Sequence, residues 1–275
     1  MEETTIVLKD LLSRTKTDNP LFKRNILKVY LQVLVLDFIY SNPEYDQMCF
    51  YGGSCLAHLY GLNRLSEDLD FVDINKNVDI SKLSVALQNY FNKNTDLKAV
   101  ATIQKFRICL KFPILQELGL SGQGDTNQLY LKVEVYKDWD FFKNYKTEIM
   151  PLFEYNKSIL VKTFDLPTFM ATKIAAVLNR KWERKSANGE ILAAVKGRDY
   201  FDLMWYLQKG VKPNLDCIKN IKNMGELKQA LLEVIEKVDS RSIINDLEPF
   251  IESTNFVKNL GKNIKDILKR EVTSM

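Results

Sequence analysis

Histidine is nearly missing from this chain: His58 is the one copy in 275 residues. The four cysteines, Cys49, Cys55, Cys109 and Cys217, are scattered and form no C-x-x-C pair. Together these shortages leave no donor set of the kind zinc takes, and they suit reduced thiols in a cytosolic protein rather than a disulfide framework. No stretch approaches the roughly 18 apolar residues needed to cross a bilayer. The opening MEETTIVLKD is acidic and lacks the apolar centre of a leader segment. A cytoplasmic location without a membrane partner is therefore expected. Neither sign of charge dominates: a net charge of +4 permits a nucleic acid partner without requiring one. Internal repeats and low-complexity tracts are absent too.

What is present can fill a core, since 46% of the residues are hydrophobic. Residues 20–40, PLFKRNILKVYLQVLVLDFIY, place apolar positions at helical spacing behind Pro20, and Asn42-Pro43 ends the pattern. SKLSVALQNYFNK reads as an amphipathic helix capped by Asp79 or Ser81, whereas LKAVATIQ, FRICLKF and LYLKVEVY are short and rich in strand formers. Between two of those strands LGLSGQGDTNQ lacks the Lys-Ser ending of a P-loop and leads into no helix, which favours a mobile hairpin loop over a phosphate cradle. From about residue 165 the pattern turns helical in four long segments, LPTFMATKIAAVLNRKWER, GRDYFDLMWYLQKG, MGELKQALLEVIEKVD and VKNLGKNIKDILKREV. The expectation is an α+β chain: a mixed β-sheet flanked by helices over residues 1–162, then a helical bundle over 163–275.

The stretch FYGGSCLAHLYGLNRLSEDLDF, residues 50–71, is the most informative. Gly52 and Gly53 let the chain approach a ligand, Ser54 can cap a helix beginning at Cys55, and a helix N-terminus with a hydroxyl suits phosphate. The alternation of a strand sends Asp68 and Asp70 to one side and Leu69 and Phe71 to the other. Two carboxylates held that close repel and lose hydration unless a cation lies between them. Magnesium takes oxygen ligands from a few carboxylates together with substrate phosphates. Glu134, inside LYLKVEVY, offers a third acid, or else simply faces outward from its strand.

These residues carry a resemblance. YGGSCLAHLYGLNRLSEDLDF, FRICLKFP, LKVEV, TKIAAVLNR and KGRDYFDLMWYL together resemble the AbiEii-type toxins, the MenT toxins among them, within the DNA polymerase β-like nucleotidyltransferase superfamily. The arginine-x-serine before D-x-D and the late Lys with Arg-Asp-x-x-Asp are the more particular marks. The resemblance implies a nucleotidyltransferase fold in the first domain and transfer of a nucleoside monophosphate from an NTP to a hydroxyl, with release of pyrophosphate. It implies Mg2+, or Mn2+ in its place, on Asp68, Asp70 and Glu134. Gly52, Gly53, Ser54 and Lys173 would meet the triphosphate, and Ser66 and Asp199 would join Lys173 in the catalytic set. It further implies the tRNA 3' end as acceptor and a cognate antitoxin as partner. The chain departs from the family in having Thr172 before the helical lysine and a long insert, KWERKSANGEILAAVK, before Asp199.

Other readings stay open at this stage. Lys105, Arg107 and Lys111, with Arg180, Lys181, Arg184 and Arg198, form either a track for an RNA backbone or solvated faces, the later ones on a helix. Lys173 either reaches inward to phosphate or lies along the surface. Asp199 either takes part directly or orients Lys173 or Arg198. Trp182 and Tyr200 either stack on bases or fill the core. For His58 packing or a local hydrogen bond is favoured over ligation. Transfer to a small molecule or a protein hydroxyl, and a fold that binds nucleotide without turnover, are the alternatives to RNA. No motif reads a base edge, so the choice of NTP is not written in the sequence.

Overall fold

The computed structural model describes residues 3–122, 124–137, 144–180, 184–185, 188, 191–193 and 195–275. The chain divides into two compact units, one made of Met1–Trp139 and Thr147–Thr163, the other of Asp140–Lys146 and Phe164–Met275.

The first unit begins with α1 (Thr4–Arg14) and α2 (Pro20–Tyr40). Asn19 caps α2 by accepting from the Leu21 and Phe22 N–H groups, with Pro20 at the first turn where its missing donor costs nothing. Then follow β1 (Cys49–Tyr51), α3 (Gly52–Tyr60), β2 (Asp68–Val72) and α4 (Ile80–Asn94), the last capped by Asp79 through the Ser81 and Lys82 N–H groups. Five further strands complete the sheet: β3 (Val100–Gln104), β4 (Arg107–Pro113), β5 (Gln128–Tyr136), β6 (Thr147–Glu154) and β7 (Lys157–Phe164). Their order is β3-β4-β5-β2-β1-β7-β6. β2 runs parallel to β5 and antiparallel to β1, and β1 runs parallel to β7. The sheet is therefore mixed, as the sequence led us to expect.

Leu69, Phe71, Leu131 and Val133 are fully buried, with α2 packed against β5 and α4 against β3 and β4. Asp68 and Asp70, alternating with them, are only half-buried. β6 and β7, which no sequence pattern announced, meet at a tight turn where Tyr155 and Asn156 both take positive φ, 47° and 59°. The loop between β4 and β5 is a hairpin connection, as expected, and is tied back by Leu120 N–H to the Leu115 carbonyl and by Gln116 N–H to Asn127 Oδ1.

The second unit contains α5 (Leu166–Asn179), a short ladder of β8 (Arg184–Lys185) with β9 (Ile191–Ala193), α6 (Gly197–Gln208), a 3-10 turn (Leu215–Cys217), α7 (Met224–Ile235), α8 (Ser240–Leu247) and α9 (Thr254–Ser274). Packing of α5 on α6 and α7, and of α6 on α8 and α9, makes the expected bundle. One expectation fails. The helical pattern does not run on through Arg184: α5 stops at Asn179, and Arg184 lies in the β8–β9 ladder, so Arg180 and Arg184 do not share a helix face.

Candidate active site

Within the first unit the site is built at the junction of β1 and α3. Gly52 opens α3 with φ +83°, a region that side chains avoid, and the Asp70 carboxyl sits where a Cβ would be, its Cγ 3.1 Å from that point. Gly53 is covered in the same way by the Arg64 guanidinium and the Ser66 hydroxyl, 2.7 and 3.0 Å from a hypothetical Cβ. The D-x-D carboxylate is thus held against the glycine turn, and Asp70 faces Tyr51 on one side and Glu134 on the other in the ladder.

Ser54 is a correction. It does not cap α3: the helix starts two residues earlier behind Tyr51, which makes no side-chain cap, and the Ser54 hydroxyl donates to the Asp68 carbonyl. A long-range hydrogen bond to β2 has displaced the local one. Gln32 of α2 donates to the Ser66 carbonyl at 2.9 Å, so both serines are held from the helical side.

The charges around Asp68 are unbalanced. Burial pushes its carboxyl above the usual range and neighbouring Glu67 adds to this, while Lys132 at 3.5 Å and Lys28 pull the other way without prevailing. Lys28, itself held low by burial, pairs with Glu67 at 3.7 Å. Glu134, the expected third acid, is buried and lies under Arg107, whose Nε and one terminal nitrogen are each 2.5 Å from Oε1. The Tyr136 hydroxyl donates to its other oxygen, and burial together with this bond keeps that phenol protonated. Among the described residues no group of three His, Cys, Asp or Glu side chains is gathered as a ready metal site. Asp68 and Asp70 fit a magnesium ion as a half-exposed pair of carboxylates on one strand face. Glu134 fits only in exchange for its pairing with Arg107.

In the second unit Lys173 lies 2.8 Å from both Asp199 and Asp202, and Arg180 reaches the second oxygen of Asp199 at 2.5 Å. Asp199 therefore pairs with Lys173 and Arg180, whereas Arg198 turns to Asp246 at 3.4 Å and stacks over Phe250. Burial alone would raise the Asp199 carboxyl, but Lys173 and Arg180 outweigh it and hold the group below the usual range. Such a group stabilises the fold fully above its unfolded value near pH 3.9, and that contribution fades as pH falls through the lower folded value. Asp199→Asn should cost about 2 kcal/mol at neutral pH, less than breaking an isolated buried pair because Lys173 keeps Asp202 and Arg180 is more exposed, and progressively less below about pH 4. Urea unfolding of both proteins across pH checks this, and a pH-independent difference would refute the pairing. Lys196 is held below its ordinary value by burial and by Arg198 nearby, which adds a cation to this cluster.

Of the basic residues, Arg107 is engaged by Glu134, Lys111 lies opposite Tyr130 further along β4, and Lys105 occupies the β3–β4 turn with φ +57°. Lys181 and Trp182 lie outside the described residues, and Tyr200 is core. Sequence reasoning missed Gln32, Lys28 and Lys132, which come from elements remote in the chain. Arg64 was signalled by the R-x-S spacing, but its contact with Gly53 was not.

A family model described as nucleotidyl transferase AbiEii toxin, Type IV toxin-antitoxin system, matches residues 36–266. Among solved structures, JHP933 from Helicobacter pylori is 15% identical, with 90% of this chain and 92% of that one covered at a TM-score of 0.48. A second H. pylori structure, described as a candidate nucleotidyltransferase, is also 15% identical, with 91% and 96% covered at 0.48. No curated protein matches the chain.

Proposed function

Because the chain belongs to the AbiEii nucleotidyl transferase toxin family, we propose that it transfers a nucleoside monophosphate from an NTP to the 3' hydroxyl of tRNA in the cytoplasm, under control of a cognate antitoxin. The observation that carries the chemistry is the packing of the Asp70 carboxyl against the Gly52 turn, with Asp68 beside it on the same strand face.

Gly53 and Ser54, with Arg64 and Ser66 above them, receive the triphosphate at the start of α3. Asp68 and Asp70 would hold Mg2+, which when bound neutralises phosphate charge and favours ionisation of the attacking hydroxyl. The acceptor oxygen forms a bond to the α-phosphorus as the α–β phosphoanhydride bond breaks. The bridging oxygen leaves with its electron pair on pyrophosphate, and the hydroxyl proton passes to a carboxylate of the pair. Glu134 stands in reserve as a third ligand, with Arg107 offsetting its charge meanwhile. Lys173 and Asp199 are assigned to transfer by their family motifs. Among the described residues no helix is long and apolar enough to cross a membrane, which is compatible with the cytoplasmic assignment. Lys105 and Lys111 of the first unit are assigned to the RNA backbone, and Arg107 joins them where Glu134 turns from it to the metal.

The test incubates the protein with each α-labelled NTP, Mg2+ and total cellular RNA. We expect one NTP to label tRNA-sized RNA at its 3' end and EDTA to abolish labelling. Label on protein or on a small molecule would overturn the acceptor, and label that survives EDTA would overturn the metal.

A further inference from the structure

The one histidine has no part in the chemistry above, yet both its ring nitrogens are engaged. His58 projects from α3 with a side chain 3% exposed. Its Nδ1 lies 2.9 Å from Glu154 Oε2 of β6, and its Nε2 lies 3.0 Å from Gln32 Oε1 of α2. Gln32 is also buried, and its Nε2 points at the Ser66 carbonyl at 2.9 Å and approaches the Ser54 hydroxyl at 3.5 Å.

The direction of this chain follows from what each atom can do. A backbone carbonyl only accepts, so the Gln32 amide must present its N–H to Ser66 and its oxygen to His58. That oxygen also only accepts, so Nε2 must carry a hydrogen. On the other side of the ring Nδ1 shares a hydrogen with the Glu154 carboxyl, which holds the imidazole in this orientation.

We propose that Glu154, His58 and Gln32 form a positioning relay for the triphosphate turn. Glu154 anchors the imidazole, the imidazole fixes the orientation of the Gln32 amide, and the amide holds Ser66, and through it the hydroxyl that covers Gly53. None of the three residues touches substrate or metal. They set where Ser54 and Ser66 stand before nucleotide arrives, so loss of the relay weakens ground-state binding of the triphosphate more than the chemical step. This rests on the function proposed above for the glycine turn.

Two variants of Gln32 test it. Gln32→Glu keeps the acceptor for His58 but turns an acceptor toward the Ser66 carbonyl, and Gln32→Met removes both bonds at similar volume. Each should raise KM for the NTP about tenfold and change kcat less than about threefold. Unchanged KM in a folded variant, or a kcat loss matching the loss of thermal stability, would overturn the relay. Because His58 is the one histidine, ¹⁵N-histidine labelling yields a single pair of ring signals. In the wild-type protein Nε2 should show directly bonded hydrogen, and an Nε2 without one would equally overturn it. Should the wild type transfer no nucleotide at all, the proposed function fails, and the ring spectrum still decides the hydrogen-bond chain.

Discussion

Asp70→Asn should abolish nucleotide transfer, with kcat falling at least about a thousandfold while the protein melts no lower than the wild type. The size follows from removing one of the two carboxylates proposed to hold the metal, which would supply several kcal/mol of transition-state stabilisation, each 1.4 kcal/mol being a factor of ten. The unchanged or raised melting temperature follows from electrostatics. Asp68 and Asp70 share a strand face, where like charges repel, and asparagine is isosteric with aspartate and keeps one oxygen for its hydrogen bonds. Labelling assays beside thermal melts check both halves. Transfer within tenfold of the wild-type rate would remove the aspartate pair from the site, and a large drop in melting temperature would make Asp70 structural.

The second large effect belongs to a methyl group. In Gly52→Ala the new Cβ would overlap the Asp70 carboxyl, and the residue would also sit at φ +83°. The positive φ alone costs about 1–2 kcal/mol, and Asp70 has to move to admit the methyl. We expect a stability loss of about 2–4 kcal/mol, summing strain and overpacking, with activity reduced at least a hundredfold. Gly61, which ends α3 with φ +73° and open space where its Cβ would point, is the control. Gly61→Ala should carry the backbone cost alone and keep most of its activity. Denaturant unfolding and labelling of the two variants distinguish a displaced catalytic carboxylate from generic glycine strain, since equal activity losses would refute the first.

Local signals were readable wherever neighbouring residues decided the outcome. Pro20 after Asn19, and Asp79 ahead of Ser81 and Lys82, mark the starts of α2 and α4 because capping is settled within one turn. The D-x-D face and its apolar back were readable for the same reason, since alternation along a strand needs no partner. Readability ended where a partner came from afar. Ser54 looked like a cap until β2 offered it the Asp68 carbonyl. Glu134 looked like an unpaid acid in an apolar run, and only the β4–β5 register, which sets it opposite Arg107, shows how the charge is met. β6 carries an exposed Pro151 and outward-facing Ile149 and Phe153 on an edge strand, a pattern that alternates poorly with polarity and so gave no strand signal. Arg184 and its neighbours have good helix formers around them, yet β8 pairs with β9 instead.

The strand order also has a consequence in time. β2, which carries both aspartates, is made before either strand that gives the site its sheet context: β5 beside it, and β7 beside β1. The Thr163 hydroxyl that binds the Phe50 carbonyl lies 113 residues further along the chain. At about 5–20 residues per second of synthesis, the motif therefore exists for seconds before the site does. A message broken before residue 128 encodes the glycine turn and both acids but none of β5, and its product should carry the signature of this family without its chemistry.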